Sequence, residues 1–343
     1  MNINSNAIQP KKDLRILGLQ IDSKLRWEPH IQKVVSKSAS QLQGLSTIAA
    51  STWGATLGKT RQIYNATVRP GLTYAASIWY NPKGTSEYRK THHRKLETIQ
   101  NKCLRIVTGA FKATNIQILQ AKAEIPPIRL HLEKLALTAQ AKRGIHEATK
   151  RGTMGIRQYL RKRKGAKKAK KQTPAQEKQD WMEKSLETSN QAFSLPLQVQ
   201  FWWKKKWKEE WNEFTRETPA DRRSLVHGNL LGRTRLHRQL RKAESSVAIQ
   251  MRTEKIGLAE FLYKRHVPGV ETASCTCGWR SQNVKHVLLH CSKHDGREVM
   301  FREAGSNDLR IILTTEKGLR AATRWMIRCG LLGQFSLARE QLY

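Results

Sequence analysis

Between Arg161 and Lys171 the chain reads RKRKGAKKAKK, eight basic residues in eleven with no large apolar side chain. Such a run cannot bury surface, and its charges repel one another. No packed core can pass through it, so whatever folds must be built from the segments on either side. Residues 151–195 are therefore expected to form a basic, disordered linker. Three roles suit it: a nucleic-acid-binding arm, a nuclear import signal, or a solvated spacer.

The rest of the chain leans the same way. Lys and Arg number 63 against 27 Asp and Glu, a net charge of +36 over 343 residues. That excess is more than solubility requires and points to a polyanionic partner. RNA or DNA comes first, and an anionic membrane surface second. No uninterrupted apolar stretch of about 18 residues is present, so no membrane span is expected. The N-terminal MNINSNAIQPKKD lacks the apolar centre of a secretory signal. A nuclear or cytoplasmic, reducing setting follows, where cysteines serve as thiols or metal ligands rather than in disulfides.

Hydrophobic spacing divides the flanking segments. LRILGLQI, residues 14–21, reads as a short strand with a bend at Gly18. Ile31, Val35, Ser38, Leu42 and Leu45 then share one helical face. Residues 59–69 read as a helix stopped by Pro70-Gly71. The clearest helix is 94–110, with Leu96, Ile99, Cys103, Ile106 and Ala110 on one stripe, which makes Cys103 a buried small hydrophobe. Pro126-Pro127 opens another, with Ile128, Leu132, Leu135 and Ala139 facing one way. Beyond the linker, Trp203, Trp207 and Trp211 recur every fourth residue, and 236–264 again look helical. The tryptophan stripe has three readings: packing against a neighbour, stacking on unpaired bases, or lying on a membrane surface. Glu209, Glu210 and Glu213 weaken the last.

Cys275, Cys277, His286 and Cys291 form C-x-C-x8-H-x4-C. Three thiolates and an imidazole are a standard tetrahedral set for Zn2+, and with four protein ligands the ion is structural rather than catalytic. The closely spaced cysteines need a tight turn, which Gly278 permits. His290 and His294 are alternative ligands, and unrelated thiols in a basic tail are the bland explanation. Catalytic patterns are weaker. Asp22 is the only acid near the expected strand, while Asp180, Glu183, Glu187 and Glu209 fall beside lysines on amphipathic helices. No Walker loop, nucleophile elbow or HExxH is present.

Several phrases together resemble one family. LRILGLQIDSKLRWEPHI is similar to the segment that follows the reverse transcriptase palm in non-LTR (LINE-type, Tad-like) retrotransposon polyproteins. TRQIYNATVRPGLTYAASIWY, LETIQNKCLRIVTGAFKATN and AEIPPIRLHLEKLAL resemble the thumb helices that come next. SSVAIQMRTEKIGLAEFL and CTCGWRSQNVKHVLLHC resemble the family's C-terminal zinc-knuckle segment. The likeness covers roughly 14–148 and 200–297. The palm, with its paired aspartates, and the ribonuclease H domain of many relatives have no counterpart here. The linker and the tryptophan helix stand where the latter would be.

The resemblance implies a mostly α fold. A thumb-like helical unit over 1–150 has a short strand at its start, and the basic linker 151–195 follows. A Trp-rich helical segment spans 196–265, a Cys3His zinc knuckle 266–300 and a helical tail 301–343. It also implies a nucleic-acid-binding remnant of a reverse transcriptase with no catalysis of its own, holding structural Zn2+ on Cys275, Cys277, His286 and Cys291. Charge alone nominates Lys162, Lys167, Lys168, Lys170, Lys171, Lys204, Lys205 and Arg280 for contact with RNA or DNA. Two alternatives stand beside this: a domesticated protein-interaction module using the tryptophan stripe, and part of an active RNA-directed DNA polymerase whose palm lies outside this chain.

Overall fold

A computed structural model describes residues 12–82, 87–143, 198–216 and 234–341, with the backbone of Asn2–Ile3 and Asn6–Ala7. The expected linker, 151–195, lies outside these residues. The chain is mostly α-helical with short antiparallel strand pairs at its start. It divides into two compact units. One comprises Met1–Tyr74, Ser86–Ile128 and Trp211–Tyr343, and the other Ala75–Thr85 and Arg129–Glu210.

In the larger unit the apolar run at 14–21 is a hairpin rather than one bent strand. After the short pair β1 (Asn2–Ile3) and β2 (Asn6–Ala7), β3 (Asp13–Ile16) pairs antiparallel with β4 (Leu19–Asp22). Leu17 and Gly18 turn between them with φ of 48° and 87°. Positive φ at both central residues is the geometry of a type I′ hairpin turn. The Asp22 carboxylate then accepts backbone N–H groups from Lys24, Arg26 and Trp27 at 3.1, 3.0 and 2.6 Å. It closes the loop into α1 (Glu28–Ser46), which has Pro29 in its first turn. Burial pulls the Asp22 pKa upward, but these backbone donors outweigh it and hold the carboxyl below its ordinary value. This acid is a loop staple.

Helix α1 buries Ile31, Val34, Ser38 and Leu45, close to the expected face. The next helix does not stop at Pro70. α2 (Leu57–Ile63) passes through a π-helical turn (Tyr64–Val68) into α3 (Arg69–Leu72). In that turn the Arg69 N–H reaches back to the Tyr64 carbonyl. The shifted register absorbs the donor that Pro70 lacks, so the helix carries on for another turn. Tyr64 is fully buried there, and its hydroxyl accepts from Gln100 Nε2 at 3.1 Å. Gln100 also donates to the Pro126 carbonyl at 3.0 Å and accepts the Ile128 N–H at 2.9 Å. A single buried amide thus secures the double-proline entry to the next helix.

The smaller unit contains α4 (Ala76–Trp79) and draws on two further helices. α5 (Glu87–Thr108) and α6 (Ile116–Ala123) belong to the larger unit. α7 spans 128–143 and α8 spans 198–216. Arg129 pairs with Glu210 at 2.5 Å, Lys206 pairs with Glu133 at 2.8 Å, and Lys134 lies over the Trp203 ring at 4.8 Å. Trp207 and Trp211 are buried, so the tryptophan stripe serves packing. Phe201 and Trp202 are the aromatic side chains that α8 leaves exposed.

The C-terminal part consists of α9 (Lys242–Arg252), α10 (Ala259–Tyr263), α11 (Val284–Leu289), α12 (Arg297–Ala304), α13 (Leu309–Thr314), α14 (Glu316–Arg328) and α15 (Ser336–Glu340). The expected helix 236–264 is broken after Arg252, where Glu254 takes a left-handed conformation at φ 54°. One apolar core joins Val247, Met251, Val287, Leu288, Trp325 and Met326 among others.

Every residue of α9 is buried, although its sequence, KAESSVAIQMR, is largely polar. Its polar groups complete the end of α5. Lys242 Nζ donates to the Ile106 and Val107 carbonyls at 2.6 and 2.8 Å, and Gln250 Nε2 donates to Gly109 O at 2.9 Å. The last carbonyls of a helix have no partner within it, and here two of them find one 136 and 135 residues further along the chain. Gly109, at φ 67°, lets the backbone leave α5 directly against α9, where a Cβ would sit 1.9 Å from Ser246 Oγ. On the other side Glu244 accepts Arg324 Nε and the Arg241 N–H, each at 2.9 Å.

Burial pushes the Lys242 pKa down to about 7 from an ordinary 10.5. The unfolded chain therefore binds the extra proton between those values, and stability rises with pH across that window. Lys242→Met is expected to cost about 2–4 kcal/mol by leaving two buried carbonyls unmatched, and to flatten that pH dependence. Denaturant titrations at several pH values measure both, with exposed Lys208→Met as the silent reference.

Candidate metal centre

The loop before α11 is folded back on itself. Gln282 N–H donates to Ala273 O at 2.8 Å, Cys275 N–H to Trp279 O at 2.8 Å, and Gly278 N–H to Cys275 O at 2.9 Å. Gly278, at φ 90°, closes the turn that aims Cys275 and Cys277 the same way. Asn283 then caps α11, its Oδ1 accepting the His286 N–H at 2.9 Å. Val284, Val287 and Leu288 fix the helix in the C-terminal core, leaving His286 on the side that faces the cysteines. At the far end the N–H groups of His290 and Cys291 both reach His286 O, at 2.8 and 2.9 Å, and this turn brings Cys291 back to the cluster.

The four side chains converge. Cys275 Sγ lies 3.6 Å from Cys291 Sγ, and Cys277 Sγ lies 3.2 Å from His286 Nε2. All four donor atoms lie within 4.8 Å of one another. A tetrahedral ion with thiolates at about 2.3 Å and imidazole at about 2.0 Å needs donor separations of roughly 3.5–3.8 Å. The set can hold a metal ion with little movement. Among the described residues no other cluster of three or more His, Cys, Asp and Glu comes together in this way. The alternatives stay out: His290 is exposed, and His294 rests edge-on against Trp325 at 6.2 Å.

The electrostatics suit the task. Burial opposes ionisation of Cys275, but hydrogen bonds from the Cys277 backbone and from the Cys277, Cys291 and Gln282 side chains hold its thiol below the ordinary value. Burial, together with the neighbouring sulfurs of Cys275 and Cys277, pushes Cys291 up to about 11. Sulfurs this close do not all ionise without a cation between them. Burial, then the charges of His290, Arg297 and His294, lowers the His286 pKa and keeps the ring in the neutral form that ligates.

Sequence reasoning passed over the groups that orient these ligands. Trp279 stacks on the His286 ring at 5.4 Å with planes 5° apart, and its indole is half exposed. Gln282 donates to Cys275 Sγ at 3.7 Å while its Oε1 accepts the Ala259 N–H at 2.9 Å. The Asn283 cap had a local signal, because Asn directly before the first apolar residue of a helix, here Val284, is a capping residue. The Trp279 stack had no periodic signal to announce it.

Of the residues nominated for nucleic-acid contact, Lys204, Lys205 and Arg280 are exposed. Lys205 lies 3.9 Å from Glu209, a solvated pair of little energetic weight. Lys162, Lys167, Lys168, Lys170 and Lys171 lie outside the described residues. Among the described residues no helix is long and apolar enough to cross a membrane.

Comparison with known proteins agrees with the resemblance. The chain is 23% identical over 133 residues to a 115 kDa protein in the type-1 retrotransposable element R1DM of Drosophila melanogaster, covering 39% of this chain and 13% of that protein. It is 23% identical over 159 residues to the RNA-directed DNA polymerase from mobile element jockey of the same fly, covering 46% of this chain and 17% of that protein. The corresponding polymerase of Drosophila funebris is also 23% identical, over 136 residues, 40% of this chain and 14% of that protein. These similarities show a relationship to LINE-type reverse-transcriptase proteins over part of the chain. The matched region spans under a fifth of the length of these relatives. No protein-family model matches the chain, and no solved structure matches it.

Cys291→Ser is expected to abolish stoichiometric metal binding, because it removes one of four converging donors. Cys329→Ser, outside the cluster, should leave it intact. Elemental analysis of the purified variants gives the comparison.

Proposed function

We propose that the chain binds nucleic acid, gripping the phosphate backbone with its basic segments, while Cys275, Cys277, His286 and Cys291 hold a structural Zn2+. The observation that carries this reading is the net charge of +36, found in a chain whose relatives include RNA-directed DNA polymerases. Lys204, Lys205 and Arg280, each exposed, are assigned contacts with phosphate, and Lys162, Lys167, Lys168, Lys170 and Lys171 are assigned the same role on charge alone. Three soft thiolates with one imidazole favour zinc over hard, oxygen-seeking cations. Four protein donors fill a tetrahedron and leave no vertex for water, so the ion braces the fold. Catalysis is assigned to none of these residues.

Phosphate neutralisation dominates affinity in such a protein. With ~6–10 phosphate contacts, binding to an oligonucleotide should weaken ~10³–10⁵-fold between about 50 and 200 mM salt. Fluorescence anisotropy across that range is the test, and an affinity indifferent to salt would overturn the electrostatic reading.

A second reading is favoured by the small share of each relative that the chain matches. In it the chain works as the nucleic-acid-gripping part of an RNA-directed DNA polymerase whose palm lies elsewhere. Magnesium-dependent primer extension is then absent from this chain alone and appears when a palm-bearing polypeptide is added.

A further inference from the structure

Next to the metal centre a cavity of ≈ 480 Å³ opens between the end of α9, α10 and the first turn of α11. Ile256, Leu258 and Leu313 give it a buried apolar floor. Phe261 forms a half-buried wall, with Lys255 Nζ at 5.8 Å and Arg265 Cζ at 5.9 Å from its ring centre. Lys285, exposed on the first turn of α11, stands at the rim with Arg265. Two carboxylates also line the space, Glu254 and Glu260. Glu260 is already committed, because it pairs with Lys264 and accepts Ser281 Oγ at 2.5 Å. With Arg252 and Lys264 counted, five cations face two carboxylates.

This combination has a chemical meaning. Apolar floor and aromatic wall suit a flat heterocycle, and the exposed cations Arg265 and Lys285 at the mouth suit a phosphate. The volume falls within the roughly 300–1,000 Å³ of small-ligand pockets, which admits a monomer unit and excludes a duplex. The cavity is also tied to the metal centre. Gln282 caps the first residue of α10 with its Oε1 and donates to Cys275 Sγ with its Nε2, so one side chain joins the cavity wall to a ligand.

We propose that this cavity takes one unpaired nucleotide of a single-stranded nucleic acid, its base against Phe261 and the apolar floor, its phosphate met by Arg265 and Lys285. The proposal rests on the nucleic-acid-binding reading above and refines it: the cavity selects unpaired strand, whereas the basic segments hold any polyanion.

The experiment compares full-length chains by fluorescence anisotropy on a labelled oligothymidylate and on a duplex of equal length at one salt concentration. Phe261→Leu keeps an apolar side chain against Phe111, whose ring lies 5.5 Å away, but removes the stacking surface. It should weaken single-strand binding about five- to a hundredfold and leave duplex binding unchanged. Arg265→Ala with Lys285→Ala, both at exposed positions, should reduce the single-strand salt slope by about 0.7 per residue. Metal content and melting temperature report whether each variant keeps its fold. Unchanged single-strand affinity, or equal losses on strand and duplex, overturns the cavity assignment and leaves general binding standing. A wild-type chain that binds neither probe overturns both.

Discussion

The contact between α9 and the end of α5 is what the larger unit is built around. A helix that ends inside a protein leaves several carbonyls without donors, and each unmatched one costs roughly 1–3 kcal/mol. Here those carbonyls meet Lys242 and Gln250 from a helix whose every residue is buried. The arrangement works in both directions. The ammonium and amide of α9 are tolerable in the interior only because α5 ends against them. Gly109 makes the approach close enough, since any side chain there would occupy the space of Ser246. Both halves of the chain thereby share one folded unit, whatever lies between them in sequence.

The candidate metal centre depends on the same frame. Small zinc modules commonly owe their folding to the ion, whose binding is worth about 10–16 kcal/mol in isolated peptides. The helix carrying His286 is instead seated by Val284, Val287 and Leu288 in a core that also contains Val247 and Met251 of α9 and Trp325 of α14. Three of the four ligands therefore approach a fixed position, and the loop bearing Cys275 and Cys277 has its own backbone hydrogen bonds. Preorganisation of this kind lowers the ordering cost of binding. An ion here locks a loop onto an existing core rather than creating one.

Much of the candidate site was legible in sequence, because ligand chemistry restricts residue types and spacing more tightly than packing does. Cys275, Cys277, His286 and Cys291 needed only soft donors within a short stretch and a turn at Gly278. The helical stripes of α1 and α5 were legible for a similar reason, since their apolar spacing is local. What escaped was non-local. KAESSVAIQMR has the polarity of a solvated helix, and nothing within it reveals that its Lys and Gln answer carbonyls more than a hundred residues away. The π-helical turn at Tyr64–Val68 was hidden in the same way, because Pro70-Gly71 is a strong stop signal unless the hydrogen-bond register shifts before it. The hairpin at Leu17-Gly18 looked like one strand because its apolar residues continue through the turn.

The scarcity of acids gives the charge imbalance a structural side. Asp22 is spent on three backbone N–H groups, Glu28 on His92 and Lys95, and Glu124 on Arg61 and the Thr234 N–H. Glu133, Glu210, Glu244 and Glu260 each hold a cation in place as well. Glu124, Glu133, Glu210 and Glu244 act as staples between segments distant in sequence, and each also offsets the charge of the cation that it holds. With 27 acids for 63 Lys and Arg, most cations have no such partner to find. Their mutual repulsion disfavours the compact state, a cost that a polyanion relieves when it draws near. The fold and the proposed ligand are in this sense complementary: several of the few acids hold segments together, and the excess of cations is left to a partner that carries phosphates.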